Sequence, residues 1–278
     1  SILYKDLLIG VTRFFRDPEA FNVLKQDILP LLLADQPDNY LFRVWVAGCA
    51  SGEEAYSIAI VLRESMDEMQ QQFRELRVQI YATDLDEDSI AEARSGSYLP
   101  NIALDVTPER LQRFFNKEEG EQGGYRIKKE IREMVVFAVQ SVIKDPPFTK
   151  LDLLSCRNLL IYLEPEQQAR LIPVFHYALK PGGVLFLSSS ESIAEHVDLF
   201  AVLNRPCKFY RAIPAAQSSN APSPCHGPQI TKRAGKNRSP RAIDPAEAER
   251  AEHLARELAF AKDNLQATVE DQRANNEE

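Results

Sequence analysis

Residues 44–60 read VWVAGCASGEEAYSIAI: a short apolar run, a turn of small residues, two adjacent glutamates, then apolar residues at helical spacing. A strand, a glycine-containing turn and a helix in that order open the nucleotide-binding half of a doubly wound α/β fold. A dinucleotide turn presents bare backbone amides at a helix N-terminus, where pyrophosphate sits. Here Glu53 and Glu54 occupy that first helical turn, and carboxylates there repel phosphate and attract a cation. Ser51 and Glu54 have the spacing of a capping box, in which each side chain satisfies an orphan amide of the helix start. Glu53 is then the carboxylate left for a ligand, although a glutamate favoured only by the helix dipole would look the same.

Outward from this stretch, four more segments read as buried strands because they are short, apolar and rich in β-branched or aromatic residues. They are RVQIYATD (77–84), MVVFAVQSV (134–142), LDLLSCRN (151–158) and GGVLFLSSS (182–190), with FRVWVAG (42–48) as the first of the five. Helical patterns lie between most of them. Such alternation predicts a mostly parallel, doubly wound sheet that binds ligands at the carboxyl ends of its strands. PCKFYRA (206–212) follows a loop too short for another crossover helix and is placed antiparallel. Between the second and third strands, Gly123-Gly124 makes a turn and YRIKKEI alternates like an exposed strand, so residues 100–134 read as a small β-rich insertion with an edge able to carry a partner.

The second strand ends at Asp84, where such folds place an acid that accepts hydrogen bonds from two ribose hydroxyls. Asp86 reads as the cap of the next helix. A cation-seeking turn beside a ribose acid fits S-adenosylmethionine, with its sulfonium and ammonium groups, better than NAD.

The rest of the composition narrows the class. The 278 residues carry 44% hydrophobic and 27% charged side chains and a net charge of −8, which argues against broad phosphate-neutralising contact with nucleic acid. No apolar run reaches the roughly 18 residues of a membrane span and no signal peptide opens the chain, so a cytoplasmic protein without membrane insertion is expected. Cys49, Cys156, Cys207 and Cys225 form no CxxC pair, and His176, His196, His226 and His253 share no ligand spacing, so free thiols and no metal site are expected. The opening SILYKDLLIGVTRFFRD begins inside an apolar-periodic helix without a cap, as though a segment precedes it. Residues 1–213 read as the folded domain and 214–243, rich in Pro, Ser, Gly and basic residues, as a flexible linker. In 244–278, Leu254, Leu258, Ala261, Leu265 and Thr268 form a short coiled-coil seam that calls for a dimer partner or a further domain.

Taken together, TRFFRDP (12–18), the 44–60 stretch, IYATDLDEDSIAEARSGSY (80–98), DPPFTKLDLLSCRNLLIYL (145–163) and LKPGGVLFLSSSES (179–192) resemble the CheR family of chemoreceptor glutamate methyltransferases, in the family's order over about residues 3–212. GGYRIKKEIREM and LDLLSCRNLLIYL look most like the CheR module of fusion proteins that join a CheB-type methylesterase, CheR and PAS sensor domains through a coiled coil. The resemblance implies a Rossmann-like S-adenosylmethionine-dependent methyltransferase fold. It also implies methyl transfer to glutamate side chains on the cytoplasmic helices of chemoreceptors, with methylesterase and sensor domains as neighbours. By position it implies cofactor contacts from Thr12 and Arg16 ahead of the sheet, from Gly48 and Glu53 in the turn, and from Asp84 at the ribose. Ser141 and Val142 fall on the adenine side, and Arg157, Asn158 and Tyr162 beside the methyl donor, with Arg157 and Tyr162 as the catalytic pair.

The sequence departs from the family pattern at Gly10, where a polar residue is frequent, and at Ser141, where asparagine is usual; the adenine contact is then weakened or passes to the backbone of Val142. The family's N-terminal helical domain is nearly all absent. From the residues alone, Arg157 holds a carboxylate or pairs on the surface with an acid such as Glu164, Tyr162 serves the site or packs, and Phe14 and Phe15 are core contacts rather than rings on adenine. Two other functions stay open: a cofactor-binding signalling scaffold without turnover, and a small-molecule carboxyl methyltransferase of the same fold.

Overall fold

Strands with no polar face need cover on both sides, and that requirement organises this chain. The computed structural model describes residues 12–34, 36–37, 39–68, 76–118, 123–193 and 196–214; the helix expected before residue 12, the linker and the coiled coil lie outside the described residues. In chain order the elements are α1 (Pro18–Val23), a π-helical turn (Leu24–Ile28), α2 (Leu29–Leu33), β1 (Leu41–Ala47), α3 (Glu53–Glu68), β2 (Arg77–Asp84) and α4 (Glu87–Ser95). Then come β3 (Ser97–Tyr98), a 3-10 turn (Pro100–Leu104), α5 (Pro108–Phe114), β4 (Phe115–Glu118), β5 (Gly124–Ile127) and α6 (Lys129–Arg132). The chain continues as β6 (Val135–Val139), β7 (Leu151–Cys156), a second 3-10 turn (Leu160–Tyr162), α7 (Pro165–Ala178), β8 (Leu179–Leu187), β9 (Phe200–Asn204) and β10 (Phe209–Ala212).

Seven strands form one sheet in the order β6-β2-β1-β7-β8-β10-β9. β1 pairs in parallel with β2 and β7, and β2–β6 and β7–β8 are also parallel; β10 runs antiparallel to β8 and β9. The chain leaves β1 toward β2 and β6, then returns to its other side for β7 and β8. The switch point therefore lies between the carboxyl ends of β1 and β7, where open α/β sheets bind ligands.

Successive side chains of the central strands alternate between two apolar layers. Phe42, Val44, Val46, Leu153, Val184 and Phe186 join a layer with α1, α2 and α3, whereas Trp45, Ala47, Leu154, Leu185 and Leu187 join Leu171, Ile172 and Phe175 of α7. At the amino end of the strands, Asp152 is buried but satisfied. Its carboxylate accepts from the Arg43 amide at 2.8 Å and from Lys180 Nζ at 2.9 and 3.1 Å, and the Tyr40 hydroxyl donates to it.

The expected strands all form; the second keeps its bounds of 77–84 and the others shift at one or both ends. The third stops at Val139 because residues 140–150 leave the sheet as an irregular crossing that contains Pro146 and Pro147. The fourth stops at Cys156, since Asn158 turns into the left-handed region at φ 59°. β9 was not expected; it pairs with β10 as an edge hairpin whose outward residues, Ala201 and Val202, are exposed. The insertion supplies two strands of a three-stranded sheet, β3-β5-β4, whose third strand, β3, lies just ahead of the expected start at residue 100. Only Gly124–Ile127 of the expected exposed strand is extended; the following KEIR coils into α6, which buries Ile131. Phe114, Phe115, Ile127 and Ile131 share the apolar layer of α3.

Candidate active site

The turn after β1 is pinned from two sides. The Gly48 and Cys49 amides both donate to the Thr83 carbonyl, at 2.8 and 3.0 Å. Gly48 (φ 74°) lies where a Cβ would stand 3.1 Å from the Leu159 side chain, and Gly52 (φ 92°) where one would stand 2.9 Å from Ala93. The left-handed backbone favours glycine at both positions, and at Gly52 the close approach to Ala93 requires it as well. Asp84 closes the turn against β2: one carboxylate oxygen accepts the Ala50 amide at 2.8 Å and the other the Asp86 amide at 3.0 Å. Each oxygen keeps a lone-pair direction for a further donor, so this fixed, half-buried acid fits a ribose diol. Asp86 caps α4 through the Ser89 amide, as expected.

The two glutamates do not divide their roles as the local pattern predicts. Ser51 Oγ donates to Glu53, at 2.8 and 3.1 Å to its two oxygens, so no capping box joins Ser51 to Glu54. Glu54 instead turns inward, accepting the Ser155 hydroxyl at 2.7 Å and pairing with Arg157 at 3.3 Å. The reason is long-range: the end of β7 offers a hydroxyl and a guanidinium in an apolar setting, and the first turn of α3 sits over them. Burial holds both carboxyls above the ordinary glutamate value. In Glu54 the Arg157 charge and the Ser155 hydroxyl oppose that shift without cancelling it.

Arg157 is not a surface residue paired with Glu164; its side chain is 1% exposed, and Glu164 caps α7. Its guanidinium donates to the Asp17 carboxylate at 2.7 Å and the Arg16 carbonyl at 2.9 Å, and it lies 4.6 Å over the Phe186 ring. One buried cation thus ties the segment before the sheet to the first turn of α3 and the end of β7. The leading segment is tightly bent, with Phe15 at φ 48° and Asp17 at φ 61°. The Phe15 amide is held by Ser57 Oγ at 2.9 Å. Phe14 and Phe15 are core contacts, 1% and 4% exposed. The half-buried Arg16 side chain makes no hydrogen bond or ion pair among the described residues, and Thr12 is partly exposed.

Glu191 was missed by sequence reasoning. Its buried carboxylate accepts the Asn158 amide at 3.1 Å, the Leu160 amide at 2.8 Å and the Ser188 amide at 2.9 Å, shaping the turn that carries Asn158. The only local signal is an acid inside the polar run SSSES directly after an apolar strand. Tyr162 ends a 3-10 turn rather than packing on an apolar helix; it is 40% exposed, and its hydroxyl has no partner among the described residues. Ser141 follows the Gln140 amide, which donates to the Asp84 carbonyl at 2.9 Å, so it lies beside the ribose acid. Its hydroxyl accepts the Lys144 amide at 3.3 Å within its own turn. Val142 is half-buried against the α7 layer. Hydrogen bonds therefore join the turn to Asp84, and Glu54 to Arg157 and the leading segment; Thr12 and Tyr162 have no such tie to the others among the described residues.

Cys49, Cys156 and Cys207 are free thiols, and Cys225 lies outside the described residues. Among the described residues no cluster of His, Cys, Asp and Glu could hold a metal ion, and no helix is long and apolar enough to cross a membrane.

The family model for the CheR methyltransferase, SAM binding domain, matches residues 10–209. An uncharacterized 104.1 kDa protein of Rhodobacter capsulatus is 40% identical over 211 residues, which are 76% of this chain but 22% of that protein. Chemotaxis protein methyltransferase 1 of Pseudomonas aeruginosa is 36% identical over 205 residues, 72% of this chain and 73% of its own length. A putative methyltransferase, Cher3, of Pseudomonas putida is 34% identical over 216 residues, 75% of each chain. The family match runs across both halves of the sheet and takes in every residue of the crevice from Thr12 to Tyr162; the chain belongs to the CheR methyltransferase family and carries its S-adenosylmethionine-binding domain.

Proposed function

We propose that this chain methylates glutamate side chains on the cytoplasmic helices of chemoreceptors, with S-adenosylmethionine as donor, leaving glutamyl methyl esters. The observation that carries the reading is the charge layout of the crevice. Glu53 and Asp84 are anionic groups fixed at the turn, while Arg16, unpaired among the described residues, is a cation available to a carboxylate.

When bound, S-adenosylmethionine supplies a methyl group on a positively charged sulfur. A carboxylate is already nucleophilic at neutral pH, so the protein's task is to orient it rather than to deprotonate it. In this reading Asp84 accepts the ribose hydroxyls, Glu53 meets the cationic end, Gly48 leaves room for the backbone to approach, and Thr12 and Asn158 line the pocket. Ser141 and the Val142 backbone serve the adenine side; the Ser141 hydroxyl accepts the Lys144 amide and keeps its own proton to donate. Arg16 and the exposed Tyr162 hydroxyl orient the incoming carboxylate. Arg157 acts beside the methyl donor as a positioning residue, its charge being shared between Asp17 and Glu54. The small sheet would face a protein substrate. Methylesterase and sensor domains as neighbours agree with the far longer Rhodobacter relative, and a cytoplasmic location and pairing through residues 244–278 belong to the same reading.

The test is incubation of the full protein with tritiated S-adenosylmethionine and receptor cytoplasmic fragments. Label should enter the receptor and be released by base as methanol. Cofactor binding without transfer to any receptor fragment would overturn the enzyme and leave a signalling scaffold.

A further inference from the structure

From β3, the edge strand of the small sheet that follows α4, Tyr98 reaches back to the turn that follows β1. Its hydroxyl donates to the Ser51 carbonyl at 2.8 Å, and Ser51 in turn holds the Glu53 carboxylate at 2.8 Å. The same ring stands edge-on to Phe14, with centroids 4.8 Å apart at 80°, two residues after Thr12 and two before Arg16. One side chain of the small sheet thus touches both segments that carry candidate cofactor residues. The approach is built for. Gly124 on β5 lies where a Cβ would stand 2.7 Å from the Tyr98 carbonyl, and Gly96 where one would stand 3.2 Å from the Tyr56 hydroxyl, so glycines let β3 seat against β5 and α3. Tyr98 is bound into the small sheet by pairing with Tyr125.

We propose that Tyr98 is a positioning residue for the cofactor: it holds the Gly48–Gly52 turn, and through Ser51 the Glu53 carboxylate, in the binding conformation, making the three-stranded sheet a structural part of the methyl-donor site. The inference rests on the reading of this turn as the cofactor site. A turn with three consecutive small residues and left-handed backbone at Gly48, Ala50 and Gly52 has many alternatives to sample, and an anchor from outside it removes them before the ligand arrives.

The experiment compares Tyr98→Phe with Tyr56→Phe in the full chain. Tyr56 is the control: it is a buried tyrosine that stands edge-on to the partly buried Tyr98, and its hydroxyl donates at 2.9 Å to Ala93 on α4 rather than to the turn. Two quantities are read, the affinity for S-adenosylhomocysteine by calorimetry and the amide exchange of residues 48–54 without ligand. Tyr98→Phe should weaken binding by about tenfold, the order of one lost hydrogen bond, and speed exchange in the turn. Tyr56→Phe should lower the melting temperature comparably and leave the affinity unchanged. Unchanged affinity in Tyr98→Phe, or an equal loss in Tyr56→Phe, overturns the proposal. Wild-type protein that fails to bind S-adenosylhomocysteine overturns the cofactor reading itself. That failure is told apart because exchange in the free protein still reports whether Tyr98 holds the turn.

Discussion

Replacing Arg157 with Met should be far more damaging than its position after a strand end suggests. Methionine keeps much of the volume beneath the Phe186 and Phe21 rings while it deletes the charge. Of its two acidic partners, Asp17 is 47% exposed and can be solvated, so its loss costs little. Glu54 is 14% exposed and cannot. Removing one partner of such a largely buried pair costs about 3–5 kcal/mol, because the remaining charge is stranded. At roughly 2–4 °C per kcal/mol for a domain of this size, melting should fall by on the order of 10 °C. The penalty should depend on pH in a defined direction. Burial already raises the folded-state pKa of Glu54 above its ordinary 4.5, and loss of the Arg157 charge raises it further. A group raised on folding contributes stability below its unfolded value and loses it as pH rises through the folded one. Arg157→Met should therefore be worst at alkaline pH and recover as pH falls toward the ordinary glutamate value, and Glu54→Gln in the same chain should restore most of the loss at the higher pH. Urea midpoints for wild type, both single variants and the double variant measure this. A cost below about 1 kcal/mol, a pH-independent cost, or no recovery in the double variant refutes the buried-pair account.

Three further outcomes are expected. Burial raises the Glu53 pKa, so if its carboxylate meets the cofactor's cation, affinity for S-adenosylhomocysteine should begin to fall at a higher pH than for an ordinary glutamate; Glu53→Gln should bind about tenfold more weakly and flatten that profile, as titration calorimetry across pH would show. Tyr162→Phe should slow methyl transfer by about a hundredfold with cofactor affinity unchanged, since the exposed hydroxyl is placed to orient the substrate, and a comparable loss of affinity would assign it to the cofactor instead. Lys180→Met should leave Asp152 short of its cation and cost about 2–3 kcal/mol by urea unfolding, while cofactor affinity stays as in wild type because the cluster sits at the amino ends of the strands.

What the sequence disclosed and what it hid follow from the range of the interactions involved. The central strands were legible because sheets covered on both faces demand unbroken apolar runs, and Asp84 because its place at a strand tip follows from where the run ends. Ser51 and Glu54 matched a local pattern, yet the partners that decided the outcome, Ser155 and Arg157, lie 101 and 103 residues further on. No window of sequence contains that choice. Glu191 was hidden for the same reason, being 33 residues from the Asn158 amide that it binds. β9 escaped because an edge strand with one exposed face gives a short and weak alternation. Tyr98 closed the 80–98 stretch without a role of its own, because its contacts to Ser51 and Phe14 lie 47 and 84 residues away.

Glu191 has a consequence for how ligands come and go. A single carboxylate gathers amides from Asn158 and Leu160 after β7 and from Ser188 after β8, so the two exits of the sheet on that side are cross-linked into one piece. That side of the crevice behaves as a fixed anvil: it has little conformational freedom left to lose, and contributes little to the entropic cost of capture. The turn after β1 and the leading segment are held separately, through Thr83, Asp84, Tyr98 and Arg157. Substitutions around Glu191 that preserve its three amide contacts should therefore leave the cofactor's dissociation rate unchanged, whereas loss of those contacts should raise it.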